Sequence, residues 1–439
     1  MKKFCLILAL LLCLLCLTPV SASAQALQGL AQGKPLSTES YTATAKAVVL
    51  YERNTDTLVY AHQPDLRLNP TGLVKVLTAL IALEEGNPDD VVTVKRATLN
   101  SVGVGVVSAG LEAGEEISLR DLLYCIMVSS ANDACAVVAE HIAGTQGAFV
   151  EKMNERAATL GCVNTHFTNV HGLQDEKQYS TARDLAIITA EALRNPELTA
   201  MFGLVSYTVP ATNKSAARNL TTTNYLMNPQ SPYYDARVTG GKPAAASTRD
   251  RSLVCTAEAE GSRYLCVVMS AQAKMSGNTV KTFTNFQEAS KLLDMGFEGF
   301  RAQQVLSADQ PYGLYAVAGG ENHVVVSPEE TVSALLPVDF DKSKLQFEAE
   351  MDDAKLTAPL SAGEIVGTLK VSYNGVSLGT FRLRACHGVA AAGTVIQPAQ
   401  AVKRGISLKW MILGGGVVMV LLGGAALLWV RGRRKGGKR

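Results

Sequence analysis

The chain has 439 residues, a formal net charge of +2 and nine cysteines. That length accommodates two domains with accessory segments. The near-balance of 41 basic and 39 acidic residues excludes the basic field that nucleic-acid binding needs.

The chain opens with Lys2 and Lys3, an apolar run from Phe4 to Leu17, and small residues. This order describes a secretory signal peptide over residues 1–24, with Ala22-Ser23-Ala24 or Ala24-Gln25-Ala26 as its cleavage site. An uncleaved anchor is the alternative. Cys5, Cys13 and Cys16 leave with it. Gln25 to about Ser40 is a polar leader, and a first domain spans residues 41–275.

Two short strands are expected at Ala45–Tyr51 and Thr57–Tyr60. Pro70 then opens a helix, a position that tolerates its missing N–H. Leu73, Val76, Leu77 and Leu80 recur on one face, and Gly86 and Pro88 end the run. Lys75 lies in the first turn of this apolar helix, so it needs a solvated mouth or a partner. Asp89–Val94 is followed by a Gly/Val/Ser-rich loop to about Gly114. Ser118-Leu119-Arg120-Asp121 resembles a capping box opening a helix to Val128. Ser129 to Ala134 then leads into a helix that stops at Gly144. Ser180-Thr181 caps a further helix over Ala182–Leu193. Arg251–Ala257 and Arg263–Ser270 form a hairpin around Glu260-Gly261-Ser262. Cys255 and Cys266 flank that turn symmetrically, as a disulfide or as buried free thiols. His166 and His171 lack a third ligand nearby and are read as structural, so neither metal nor cofactor is expected.

Ala43-Thr44-Ala45-Lys46-Ala47-Val48-Val49-Leu50 followed by Asn69-Pro70-x-x-x-x-Lys75 resembles the serine D-Ala-D-Ala carboxypeptidases, the low-molecular-weight penicillin-binding proteins. The resemblance continues through Phe149-Val150-x-x-Met153-Asn154, Leu160-Gly161, Asn164-Thr165-His166-Phe167, His171-Gly172-Leu173 and Tyr179-Ser180-Thr181-Ala182-Arg183-Asp184. It implies an α+β fold: a penicillin-binding-protein/β-lactamase-like transpeptidase domain followed by a small all-β domain. It also implies a serine that acylates on the substrate carbonyl and a lysine three residues later that takes its proton, since i and i+3 share a helix face. Partial desolvation makes such a lysine a better base. Lys75 stands at that lysine's position, whereas Gly72 stands at the nucleophile's.

Ser130-Ala131-Asn132 resembles the family's Ser-x-Asn motif. By resemblance Ser130 shuttles a proton and Asn132 contacts the substrate backbone; the plainer reading is that both, with Asp133, cap the next helix. Val238-x-Gly240-x-Lys242 resembles the approach to the family's Lys-Thr-Gly strand, which pairs with substrate. Here Lys242 is followed by Pro243 and Ala244. Proline donates no backbone hydrogen bond and suits only an edge strand. The resemblance also gives the backbone N–H groups of residue 72 and Ala245 an oxyanion-binding role.

Residues 276–300 form a helical connector, with its helix at Phe283–Phe300. A β domain over residues 301–388 is expected to carry strands at Gln303–Leu306, Gly313–Val317, His323–Ser327, Thr368–Tyr373 and Val376–Leu383, the last two joined by a tight Asn374-Gly375 turn. Residues 389–409 are a linker. Trp410 to Val430 is an uncharged run of 21 residues, long enough to cross a bilayer. Six basic residues follow it in the tail 431–439 and three precede it closely. With the signal segment, that bias implies a single-pass protein of the cell membrane with its body extracytoplasmic. The glycines of the span admit a second helix, though a monomeric anchor is the plainer reading.

Three functions fit these residues. One is a non-catalytic member that binds the peptidoglycan stem peptide or a cell-envelope protein. The second is an active carboxypeptidase with Thr71 as a rerouted nucleophile. The third is a structural spacer at the membrane surface.

Overall fold

The computed structural model describes residues 27–37, 41–320 and 322–393. A short helix α1 (Gln28–Gln32) precedes β1 (Ala45–Glu52) and β2 (Thr57–His62). Nearly every residue of β1 is buried. Successive strand residues point to opposite faces, so this sheet must be covered on both sides. Ala47, Val49 and Tyr51 join a core built largely of helices, whereas Val48 and Leu50 join a second core beneath one long helix.

The helices of the first face come next. A 3-10 turn, Thr71–Val74, runs into α2 (Lys75–Glu85). A small ribbon of β3 (Val91–Thr93) and β4 (Glu116–Ser118) brackets α3 (Arg96–Ser101). Then follow α4 (Leu119–Met127), α5 (Asn132–Ala143), α6 (Gln146–Thr159), α7 (Ala182–Ala192) and α8 (Pro196–Phe202). The Ser118 side chain accepts the N–H of Asp121, and the Thr181 side chain that of Asp184, so both expected caps form.

The hairpin of β5 (Ser206–Val209) and β6 (Arg218–Thr221) leads to β7 (Val238–Ala245), β8 (Asp250–Ala259) and β9 (Ser262–Gln272). These three complete an antiparallel sheet in the order β2-β1-β9-β8-β7, which leaves β7 at an edge. Cys255 and Cys266 lie opposite each other on β8 and β9 as buried free thiols. A short ribbon, β10 (Lys274–Ser276) and β11 (Thr279–Thr282), precedes α9 (Thr284–Gly299), which covers the second face.

The all-β domain starts directly from α9. It pairs β12 (Phe300–Leu306) with β15 (Val332–Pro337). It also builds a five-stranded sheet from β13 (Gly313–Ala316), β14 (His323–Pro328), β16 (Leu345–Met351), β17 (Ile365–Tyr373) and β18 (Val376–Ala385). Asn374 and Gly375 turn at φ 50° and 73°, the left-handed pair that a two-residue hairpin requires. β15 and β16 go beyond the five expected strands. Phe300, Leu335, Leu336 and Tyr373 pack into the cluster that holds Phe286, Leu292 and Leu293 of α9, so the two domains share a core. The expected signal segment, span and tail lie outside the described residues, among which no helix is long and apolar enough to cross a membrane.

The seam between α9 and β9 tolerates little. Tyr264 is buried and its hydroxyl donates to the Gly296 carbonyl at 2.8 Å. A Cβ at Gly296 would sit 2.9 Å from Tyr264 Cζ. Gly296→Ala is therefore expected to lower the unfolding free energy by about 1–3 kcal/mol, read by urea denaturation. An unchanged midpoint would mean that the ring yields freely.

Candidate functional site

Lys75, the first residue of α2, is only 3% exposed. Its Nζ donates to Asn132 Oδ1 at 2.8 Å and to the His171 carbonyl at 2.7 Å. Three separate segments thus meet on one amine. The third of them is a tight loop in which Asn169 Oδ1 accepts the N–H of Gly172 at 2.7 Å. Gly172 has φ +84°, and a Cβ there would lie 1.9 Å from the Thr71 carbonyl oxygen, so only glycine lets this loop reach the 3-10 turn that leads into α2. Burial lowers the pKa of Lys75. Burial and the neighbouring ammonium push His171 down to about 4, leaving its imidazole neutral at pH 7.

Gly72 faces this amine. A Cβ built on it would stand 3.5 Å from Lys75 Nζ, 3.6 Å from Ser130 Oγ and 3.5 Å from the Ala244 methyl. Those are ordinary contacts, so a small side chain fits between the base and the hydroxyl. Thr71 and Ser130, which flank that space, both adopt left-handed backbone with φ +50° and +64°. Such strain at non-glycine residues gathers at functional sites. The Thr71 hydroxyl is buried and has no hydrogen-bond partner among the described residues. It caps nothing: Asn69 Oδ1 accepts the Thr71 N–H at 2.8 Å instead.

Asn132 opens α5 but does not cap it. Its Nδ2 and backbone N–H both donate to the Val107 carbonyl, at 3.0 and 2.8 Å. The Asp133 carboxylate accepts from Ser108 Oγ at 2.6 Å and from the N–H of Ala109 at 2.9 Å and Leu111 at 3.2 Å. Together they fold the glycine-rich loop down over the helix start. The composition of that loop marks it as irregular but carries no signal for where Val107 points.

Lys242 lies behind this group. Its Nζ donates to the carbonyls of Ile126 at 2.9 Å and Met127 at 3.4 Å, at the end of α4. Burial and the nearby Lys75 ammonium push it down to about 7. A cavity of about 530 Å³ opens in front. Gly72, Lys75, Ser130, Asn132 and the edge-strand residues Pro243, Ala244 and Ala245 line it, whereas Lys242 does not. Its far wall was not foreseen: Tyr225, Arg251, Phe283, Asn285 and Phe286 come from segments with no motif character. Among the described residues, no acidic side chain lines the cavity. Among the described residues, no group of three or more His, Cys, Asp or Glu side chains is placed to hold a metal ion.

The arrangement supplies a buried amine, a hydroxyl and a cationic cavity, with no side chain at residue 72. Proton linkage makes the buried amines measurable. A lysine with a folded pKa below its unfolded value holds fewer protons when folded at any pH between the two. Stability therefore rises with pH across that window, by up to about 1.4 kcal/mol per pH unit for each group. For Lys242 the window runs from about 7 to 10.5, and Lys75 contributes in the same direction. Urea denaturation at pH 7, 8 and 9 should show this climb, and Lys242→Met should flatten it. A profile identical in the variant would mean that Lys242 keeps its proton in the fold.

Comparison with known proteins identifies both domains. The family described as "D-alanyl-D-alanine carboxypeptidase" matches residues 34–273, and "Penicillin-binding protein 5, C-terminal domain" matches residues 300–391. The D-alanyl-D-alanine carboxypeptidase DacD of Escherichia coli is 30% identical over 351 residues, 78% of this chain and 86% of that protein. DacF of Bacillus subtilis is 29% identical over 359 residues, 80% of this chain and 87% of that protein. The crystal structure of penicillin binding protein 5 from Haemophilus influenzae superposes with a TM-score of 0.62 at 28% identity, covering 81% of this chain and all of that one. The chain belongs to the D-alanyl-D-alanine carboxypeptidase family of penicillin-binding proteins, and carries both the transpeptidase-like domain and the C-terminal β domain.

Proposed function

We propose that this chain is a membrane-anchored, non-catalytic member of its family that binds the peptidoglycan stem peptide. The observation that carries the reading is the space at Gly72: base and hydroxyl stand 3.5 and 3.6 Å from where a side chain would begin, and there is none. Loss of the nucleophile in such a unit costs about 10⁶ in rate. Ala244 and Pro243 support the same reading. The Ala244 methyl enters the cavity beside Gly72, and Pro243 offers no N–H to a ligand strand along the edge of the sheet. Thr71 does not replace the nucleophile, because its hydroxyl is buried, has no hydrogen bond to Lys75 and lies outside the cavity lining.

Gly72→Ser should restore slow acylation by benzylpenicillin. That reaction asks for a hydroxyl, a base and the backbone N–H groups of residues 72 and 245. Release of D-alanine from a stem peptide should stay negligible until Pro243→Thr and Ala244→Gly are added. Intact-mass spectrometry after penicillin treatment reads the adduct. A covalent adduct on the wild type would end the non-catalytic reading.

The membrane placement rests on the signal segment and on the run Trp410 to Val430 with its basic tail. Protease added to intact protoplasts should remove the body and spare the tail. The reverse pattern would invert the topology.

A further inference from the structure

A loop with no part in the site chemistry runs away from the cavity. Between β6 and β7, residues 222–237 form no strand and only a 3-10 turn, Tyr225–Met227. The loop carries Tyr225, Tyr233 and Tyr234, and the first and last of these are 38% and 47% exposed. The Tyr225 and Tyr233 rings lie nearly parallel, 15° apart with centres separated by 6.5 Å, and Phe283 stands edge-on to both. The Phe283 N–H donates to the Tyr233 hydroxyl at 3.0 Å, which pins the group. Tyrosines held this way offer a broad amphipathic face at little cost in conformational entropy.

Polar donors edge these rings. Asn228 Oδ1 accepts the Gln230 N–H at 3.0 Å, and Ser231 Oγ accepts the Tyr233 N–H at 3.1 Å. Each is fixed as an acceptor by its own loop, and among the described residues neither side chain donates. The Asn228 amide hydrogens and the Ser231 hydroxyl hydrogen therefore remain for a ligand. With Pro232 and Lys281 they border a cavity of about 320 Å³ beside the rings. Among the described residues no carboxylate lines it, and the Lys281 ammonium disfavours a cationic ligand.

This cavity joins two others. Tyr225 and Phe283 also line the cavity in front of Gly72. Pro232 and Tyr233 also line a third, of about 840 Å³, with Tyr234, Arg237 and the α9 residues Gln287 and Asp294. A succession of adjoining cavities suits a polymer. A pyranose ring has an apolar C–H face and a rim of hydroxyl and acetamido groups, the complement of tyrosine faces edged by amide and hydroxyl donors.

We propose that residues 225–234, with Phe283, bind the glycan strand of peptidoglycan. Its N-acetylated sugar rings lie on the tyrosine faces, and their acetamido carbonyls accept from Asn228 and Ser231. The inference rests on the reading of this chain as a peptidoglycan binder and adds the sugar polymer to the peptide. An extended peptide is the competing occupant. It would draw its affinity from pairing along a strand edge, and this loop contains no strand.

The test uses the full chain in detergent micelles and two probes: peptide-free glycan strands, made by amidase digestion of peptidoglycan, and the peptide N-acetyl-L-Lys-D-Ala-D-Ala. Calorimetry should show that the wild type binds the strands. Tyr234 and Asn228 lie outside the lining of the Gly72 cavity. Tyr234→Ala should weaken strand binding about five- to tenfold, the scale of one lost aromatic contact, and leave the peptide unchanged. Tyr234→Phe should keep most of the affinity, and Asn228→Ala should lose part of it. A wild type that binds the peptide and not the strands overturns the inference and leaves the stem-peptide reading standing. Strand binding indifferent to both Tyr234→Ala and Asn228→Ala assigns the sugar to another surface and overturns it too. Strand binding that falls in these variants, in a chain that takes no peptide, upholds the glycan site and removes the stem-peptide reading.

Discussion

The burial of Lys75 is the constraint on which the rest of the site depends. An ammonium taken out of water must be solvated by protein, and no carboxylate is supplied. Neutral acceptors do the work instead, and they come from two distant segments: the side chain of Asn132 and the carbonyl of His171. Each acceptor must arrive with its own support. Asn132 is held through Val107, and the His171 carbonyl through the Asn169 turn and the glycine at 172. Removing any of these leaves a polar group unsatisfied in a dry interior, a cost several times the worth of an ordinary hydrogen bond. The scaffold around the amine is therefore retained as a unit.

That cost does not extend to residue 72. A glycine there leaves no buried polar atom unpaired and no neighbour unsupported. It simply leaves room. The reactive hydroxyl of a site like this can be lost while the machinery around it stays ordered, because the machinery stabilises itself. The second lysine follows the same logic. Lys242 is satisfied by two carbonyls at the end of α4, so its place in the fold is secured by packing and helix-end electrostatics.

Much of this was legible in the sequence where local patterns are strict. The helix of Leu73, Val76, Leu77 and Leu80, the caps at Ser118 and Thr181, the Glu260-Gly261 hairpin and the Asn374-Gly375 turn all rest on short-range rules that tertiary contacts do not override. Gly72, Lys75, Ser130 and Asn132 could be grouped from motif order alone, and the fold brings them together. What was not legible is tertiary. β16 is half-exposed and edge-placed, so its alternation of Leu345, Phe347, Ala349 and Met351 lacks a continuous apolar signature. Threonine commonly caps a helix start, and Thr71 does not. The chain enters through a left-handed residue there, the hydroxyl is buried, and Asn69 Oδ1 accepts the Thr71 N–H. Arg251 and Asn285 come from a strand start and a helix start with no common motif, and only the packing of α9 on the sheet gives them one wall.

The Val107 carbonyl has a consequence for how the cavity discriminates. It already occupies both N–H donors of Asn132 that face it. The amide nitrogen carries a second hydrogen that this carbonyl does not take. The side chain of Asn132 can therefore hold the loop and still offer one donor to the cavity, whereas its backbone N–H is spent on the loop.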